Sequence, residues 1–139
     1  VLTLAGGGSA GGFGAGAAAF FGGQLRMGID VVLDLTDFDR KCRGASLVIT
    51  GEGRLDSQSL RGKVVVGVAR RAAAAGVPVI AVVGDVAPGA AAAYEQGVTA
   101  IFSTNRQAVP WEQAKHTAKE DLAAVMEDLS RLLAAMGQH

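Results

Sequence analysis

The chain is poor in the residues on which several common functions depend. Of its 139 residues only Cys42 is a cysteine, so no internal disulfide can form. That scarcity suits a reducing compartment, and a cytoplasmic location is expected. Cys42, between Lys41 and Arg43, reads either as a reactive thiol or as a small packed apolar residue. Histidine occurs twice, at His116 and His139, with no partner at metal-ligand spacing. A zinc site and catalysis of the Ser-His-Asp or Cys-His kind therefore lack support. Aromatic residues make up 5% of the chain, and 13 Lys and Arg balance 13 Asp and Glu. Neither a base-stacking platform nor a basic face for nucleic acid is expected. Charges or glycines interrupt every apolar run before the ~18 residues a bilayer span requires. The first residues, Val1-Leu2-Thr3-Leu4-Ala5, lack the charged segment of a secretory signal. A start without methionine, inside a strand-like run, reads as that of a piece of a longer chain.

What the sequence does have is apolar content, at 50%, and 20 glycines. The first is enough for a core without staples. Leu2–Ala5 reads as a strand, followed by the glycine-rich run 6–12 and a helix over Ala15–Leu25. Residues 29–35 fit a strand by β-branching and a helix by the spacing of Ile29, Val32, Leu33 and Phe38, and the helix is preferred. A strand is expected at Leu47–Thr50 and a helix at Lys63–Ala75, stopped by Gly76 and Pro78. The continuous apolar runs Val79–Val83 and Val98–Phe102 suit strands buried on both faces. Helices are expected at Pro88–Gln96 and Pro110–Met136, the last with an apolar stripe at Ala114, Ala118, Leu122, Val125, Leu129 and Leu132. This alternation implies βαβ units. The expectation is one α/β domain over 1–139, three-layer α/β/α with a mainly parallel, Rossmann-like sheet.

Ligands of such a sheet bind beyond the carboxyl ends of its strands. Those ends are expected at 6–12, 51–63, 84–88 and 103–106, where most of the chain's distinctive polar residues fall. The first of these segments carries a formal G-x-G-x-x-G at Gly6, Gly8 and Gly11, and Asp30 follows nineteen residues later. The pattern is that of a nicotinamide-binding fold if residues 29–35 form a strand. More generally, Gly8, Gly11 and Gly12 let backbone N–H groups approach an anion, and close helix–strand packing would select the same glycines.

The second segment, VITGEGRLDSQSLRGK over 48–63, is the more specific. Gly51 and Gly53 flank Glu52. Glu52 and Asp56 together suit Mg²⁺ ligation or proton abstraction from a hydroxyl. Arg54, Arg61 and Lys63 suit a phosphate or carboxylate. Ser57 and Ser59 are candidate helix caps. Gly62-Lys63 is not a Walker P-loop, because no glycine stands at Ser57 and no Ser or Thr follows Lys63. Internal salt bridges pinning a loop are the alternative reading. Trp111 is expected to pack the start of the last helix.

The run VITGEGRLDSQSLRGKVVVGVARRA, with GGGSAGGFGAGAAAFFGGQLRMGIDVVLDL before it and AAAAGVPVIAVVGDV after it, resembles the type I glycerate kinase family. The resemblance covers most of the chain and fades after about Thr104. It implies Mg²⁺-dependent phosphoryl transfer from ATP to D-glycerate, yielding 2- or 3-phosphoglycerate. By the same resemblance Gly51, Glu52, Gly53, Arg54, Asp56 and Gln58 match the signature, Gly62 and Lys63 match the motif after it, and Gly8, Gly11 and Gly12 lie in the glycine-rich segment. The chain departs from the family with GGGSAGG for GAGAAGG, with Arg61 for histidine and with Val64-Val65 for Ala-Pro. Family members are also much longer and carry N-terminal motifs that do not occur here. The resemblance is thus to a C-terminal portion whose N-terminal domain is a missing partner. A fragment of this kind is expected to be inactive alone and to self-associate, as a homodimer or larger, through the apolar face left bare. Two other readings stay open: an NAD(P)-binding oxidoreductase domain, and an α/β module without catalysis.

Overall fold

In the computed structural model, residues 6–57, 59 and 63–137 are described. The expected strand at Leu2–Ala5 and the residues Gln58, Arg61, Gly62 and His139 lie outside them. Three strands, β1 (Val48–Leu55), β2 (Val79–Val86) and β3 (Ala100–Ser103), form a parallel sheet in the order β1-β2-β3. β1 runs beside β2 from Val48 opposite Val79 to Leu55 opposite Val86, and β3 pairs with Ile80–Val83 on the other side. β2 is therefore central, and its first five residues, Val79 to Val83, are all buried. A strand covered on both faces needs such an unbroken apolar run.

The two faces carry separate cores. On one, helix α4 (Val64–Ala74) and a 3-10 helix (Ala90–Gln96) bring Val65, Ala69, Ala72, Ala90 and Ala93 against Leu55, Val79, Ala81 and Val83. On the other, helix α5 (Trp111–Met136) brings Val125 and Leu129 against Ile80 and Val82. The result is the expected three-layer α/β/α arrangement. Both connections between strands cross the α4 face, and α5 covers the opposite one.

Two strands are longer than expected. Gly51-Glu52-Gly53 reads as a turn, yet β1 continues through it to Leu55 because β2 runs alongside and supplies hydrogen-bond partners over the same length. The segment expected as a helix over Pro88–Gln96 is instead the 3-10 helix, seven residues confined between left-handed Gly89 (φ 86) and Gly97 (φ 100). That length suits a 3-10 turn better than a stable α-helix.

The ambiguous segment is a helix, α2 (Gly28–Leu35), with Asp30 in its first turn, where the helix dipole favours a negative charge. A short α3 (Phe38–Cys42) follows and buries Cys42 in the α4-side core, so the thiol is a packed residue. Arg71 of α4 ties both helices down. Its guanidinium donates to Asp34 Oδ1 at 2.5 Å and to both oxygens of Asp39 at 2.6 and 2.7 Å. The hydrogen bonds from Arg26 and Arg71 hold the Asp34 carboxyl below the usual carboxylate range, and those from Arg71 do the same for Asp39.

Helix α1 (Ser9–Phe21) begins earlier than expected and is broken at its start, because Ala10, Gly11 and Gly12 take left-handed φ of 49°, 66° and 91°. Its large apolar side chains are bare: Phe13, Phe20 and Phe21 are 73%, 83% and 86% exposed. Among the described residues no helix is long and apolar enough to cross a membrane.

Two stability measurements check this description. Leu55 is fully buried at the end of β1, so Leu55→Ala is expected to lower the unfolding free energy by about 3 kcal/mol. Leu35→Ala, at an 82% exposed position, should stay within about 0.5 kcal/mol in the same denaturant titration. The lowered folded values of Asp34 and Asp39 make their stabilisation complete above the ordinary carboxylate pKa and lost as pH falls through the folded ones. Arg71→Met should therefore destabilise the chain at neutral pH and flatten the acid limb of its melting-temperature profile, whereas an unchanged limb would remove Arg71 from that role.

Candidate functional site

β1 carries the signature segment to the carboxyl end of the sheet, as a strand rather than as a loop. Two glycines permit its fit against β2. A Cβ at Gly51 would collide with the Val82 carbonyl oxygen, and one at Gly84 would stand 2.5 Å from the Gly53 carbonyl oxygen. Gly53 differs, since a Cβ there meets nothing within 4 Å. The paired ends of β1 and β2 thus form a flat floor without side chains, open above Gly53.

A cavity of about 650 Å³ stands on this floor. Gly53, Arg54, Gly84 and Asp85 contribute one side, Thr104 and Asn105 after β3 a second, and Val109, Trp111, Ala114, Ala118 and Asp121 of α5 and its approach the third. A smaller hollow of about 400 Å³ shares Gly84, Thr104 and Ala118 with it and reaches Gly51 and Glu52. Both lie at strand carboxyl ends, where a parallel α/β sheet presents its ligand.

The signature side chains divide between this site and the turn beside it. Arg54 lies on the larger cavity and pairs with Asp85, its register partner, at 3.4 Å. Both side chains are more than half exposed. A pair of that kind is worth about 0–1 kcal/mol, so an anionic ligand can draw Arg54 away at little cost. Glu52 stands opposite fully buried Val83, and its Oε1 is buried without a hydrogen-bond partner. An orphaned carboxylate oxygen is costly unless something occupies it.

Asp56 belongs to the turn after β1. Its Oδ1 accepts from the Ser59 N–H at 3.1 Å and lies 3.4 Å from the Ser59 hydroxyl. Ser59 is fully buried, and its hydroxyl donates to the Arg54 carbonyl at 3.3 Å. Ser59 fixes this turn; α4 begins at Val64, and Leu60, where the capped helix was expected to start, lies outside the described residues. Ser57 is exposed in the same turn, and Lys63 is the exposed N-cap residue of α4, with extended backbone and no side-chain cap. Asp56, Ser57 and Lys63 line neither cavity, nor do Gly8, Gly11 and Gly12 at the broken start of α1. Among the described residues no group of three His, Cys, Asp or Glu side chains gathers to hold a metal.

Trp111 does not pack the helix start as expected. It is 69% exposed and stands at the cavity. Sequence reasoning also missed Ala114, Ala118 and Asp121 as cavity residues. The signal was the stripe itself, which is small at Ala114 and Ala118 and large from Leu122 onward. A helix narrowed in this way cannot close on the sheet at its first turns.

The model of the glycerate kinase family matches residues 1–134. A glycerate kinase of Bacillus cereus is 43% identical over 130 residues, which cover 94% of this chain and 34% of that protein. The glycerate 2-kinase of Escherichia coli is 34% identical over 134 residues, covering 96% and 35%. A crystal structure described as glycerate kinase 2 from Salmonella typhimurium LT2 superposes with a TM-score of 0.72 at 39% identity, over 96% of this chain and 34% of that one. The chain spans about a third of the length of the curated relatives it matches.

The glycine floor gives a direct check. Gly84→Ala should cost about 1–3 kcal/mol through its collision with the Gly53 carbonyl. Gly53→Ala should leave the urea midpoint nearly unchanged, because its methyl enters open space. Equal midpoints for the two variants would contradict the described approach of β1 to β2.

Proposed function

The chain belongs to the glycerate kinase family, and on that footing we propose that it is the C-terminal portion of an enzyme that transfers the γ-phosphoryl group of ATP to D-glycerate. The observation that carries this reading is the signature strand β1 forming one wall of the cavity at the carboxyl end of the sheet. Phosphoryl transfer depends on positioning and on charge neutralisation more than on covalent chemistry by the protein. Arg54, loosely paired and beside the cavity, is the cation available to a phosphate or carboxylate. Lys63 and the backbone of Gly8, Gly11 and Gly12 would serve as further anion contacts once the rest of the enzyme stands beside them, with Ser57 and Gln58 as polar contacts.

The residues fit Mg²⁺ that arrives on the nucleotide. Such an ion keeps waters and phosphate oxygens and needs only one or two carboxylates. Glu52, with its orphaned oxygen, would hold it, with Asp56 as the second ligand expected from the signature. Bound there, Mg²⁺ supplies neutralisation of phosphate charge. A nicotinamide-binding reading is disfavoured, because Asp30 stands in the first turn of helix α2 and not at the end of a strand.

Two measurements test the proposal. In the enzyme extended to the length of its relatives, Glu52→Gln is expected to lower kcat by about 10²-fold or more in an ADP-release assay with D-glycerate. Turnover near that of the parent would remove Glu52 from the mechanism. The chain by itself should show little turnover and should elute as a dimer or larger on gel filtration, through the exposed faces of Phe13, Phe20 and Phe21. Robust turnover, or a clean monomer at high concentration, would contradict the corresponding half of that expectation.

A further inference from the structure

The kinase reading leaves open which substrate the larger cavity receives, and the inference that follows rests on that reading. We infer that the cavity between the β1–β2 floor and the first turns of α5 takes the nucleoside end of the phosphoryl donor, an uncharged purine riboside, and not the three-carbon acid.

Size, charge and surface point the same way. A cavity of about 650 Å³ lies within the range that holds molecules of nucleoside size and larger. A three-carbon acid would leave most of it filled with water. Among the described residues the lining has one cation, Arg54, against two carboxylates, Asp85 and Asp121. Arg54 is already paired with Asp85, and the nearby Arg106 is held by Asp128 at 2.7 Å. Two carboxylates to one loosely paired cation suit a neutral ring with amino donors in the cavity, with Arg54 left to turn to the phosphate chain that the ring carries.

The α5 side is shaped for a flat ring. Trp111, Ala114 and Ala118 fall at helical spacing on one stripe, and Asp121 extends it by one position. Trp111 offers an exposed indole for stacking, worth about 1–3 kcal/mol per base. Ala114 and Ala118 leave the slot beside it open. Asp121, whose Oδ2 accepts from the Thr117 hydroxyl at 2.7 Å, and Asn105 line the polar side. Opposite them the glycine floor has no side chain to obstruct the ring.

Trp111 is the one tryptophan of the chain, so its emission reports on the cavity alone. Adenosine titrated into the chain is expected to quench it saturably, and D-glycerate at the same concentrations to leave it unchanged. Ala118→Leu, at an exposed helix position, should weaken the adenosine effect about tenfold or more without moving the melting temperature. Ala114→Leu is the second variant and should do the same. A change caused by D-glycerate and not by adenosine would overturn the inference and leave the kinase reading standing. No change with either compound, or quenching that survives both variants, would overturn it as well. Failure of the kinase reading itself shows separately, as absence of phosphoryl transfer in the longer enzyme whatever adenosine does here.

Discussion

The close approach of β1 to β2 is the constraint on which the site depends. Parallel strands pair through slanted hydrogen bonds at a fixed spacing, and side chains normally stand between their faces and whatever packs above them. Here Gly51 and Gly84 let the two backbones come nearer than any Cβ would allow. A segment rich in glycine and charge, which alone would form a loop, is held straight as far as Leu55 by its partner strand. Arg54 is thereby delivered beside Asp85, Glu52 is placed with one oxygen in the interior, and the floor above Gly53 is left clear.

The two faces of the sheet then do different work. The α4 face is closed by small and branched residues that anchor the end of β1 through Leu55, and Arg71 fastens α2 and α3 to the same helix. The α5 face is closed only along the later turns, at Val125 and Leu129. Its first turns stand off because Ala114 and Ala118 are too small to reach the sheet. Rigidity on one face and a gap on the other are what a binding wall requires, since a ligand's partners must be held in place by elements that do not move with it.

Much of this architecture was legible in the residues. The continuous apolar runs identified β2 and β3, the stop signals at Gly76 and Pro78 ended α4, and helical spacing favoured a helix over residues 29–35, where α2 lies. The signature begins on the strand whose Gly53 and Arg54 line the larger cavity. Less legible were features set by neighbours. Gly51 and Gly53 read locally as a turn, and only the pairing with β2 makes them strand. The run after Pro88 has the composition of an α-helix but is bounded too tightly by Gly89 and Gly97. Trp111 and Asp121 could be seen as cavity residues only after the third side of the cavity was known. The division of the signature between a cavity wall and the Asp56–Ser59 turn was not visible either, because the two parts are contiguous in sequence and separate only when β1 ends.

The central claim is that the paired ends of β1 and β2 form a ligand wall. Amide hydrogen exchange of the chain with and without Mg²⁺-ADP tests it most directly. The account predicts slower exchange over residues 53–55 and 84–86 on nucleotide addition, with the strand starts at 48–50 and 79–81 unchanged. Protection confined to other parts of the chain, with 53–55 and 84–86 exchanging as before, would contradict it.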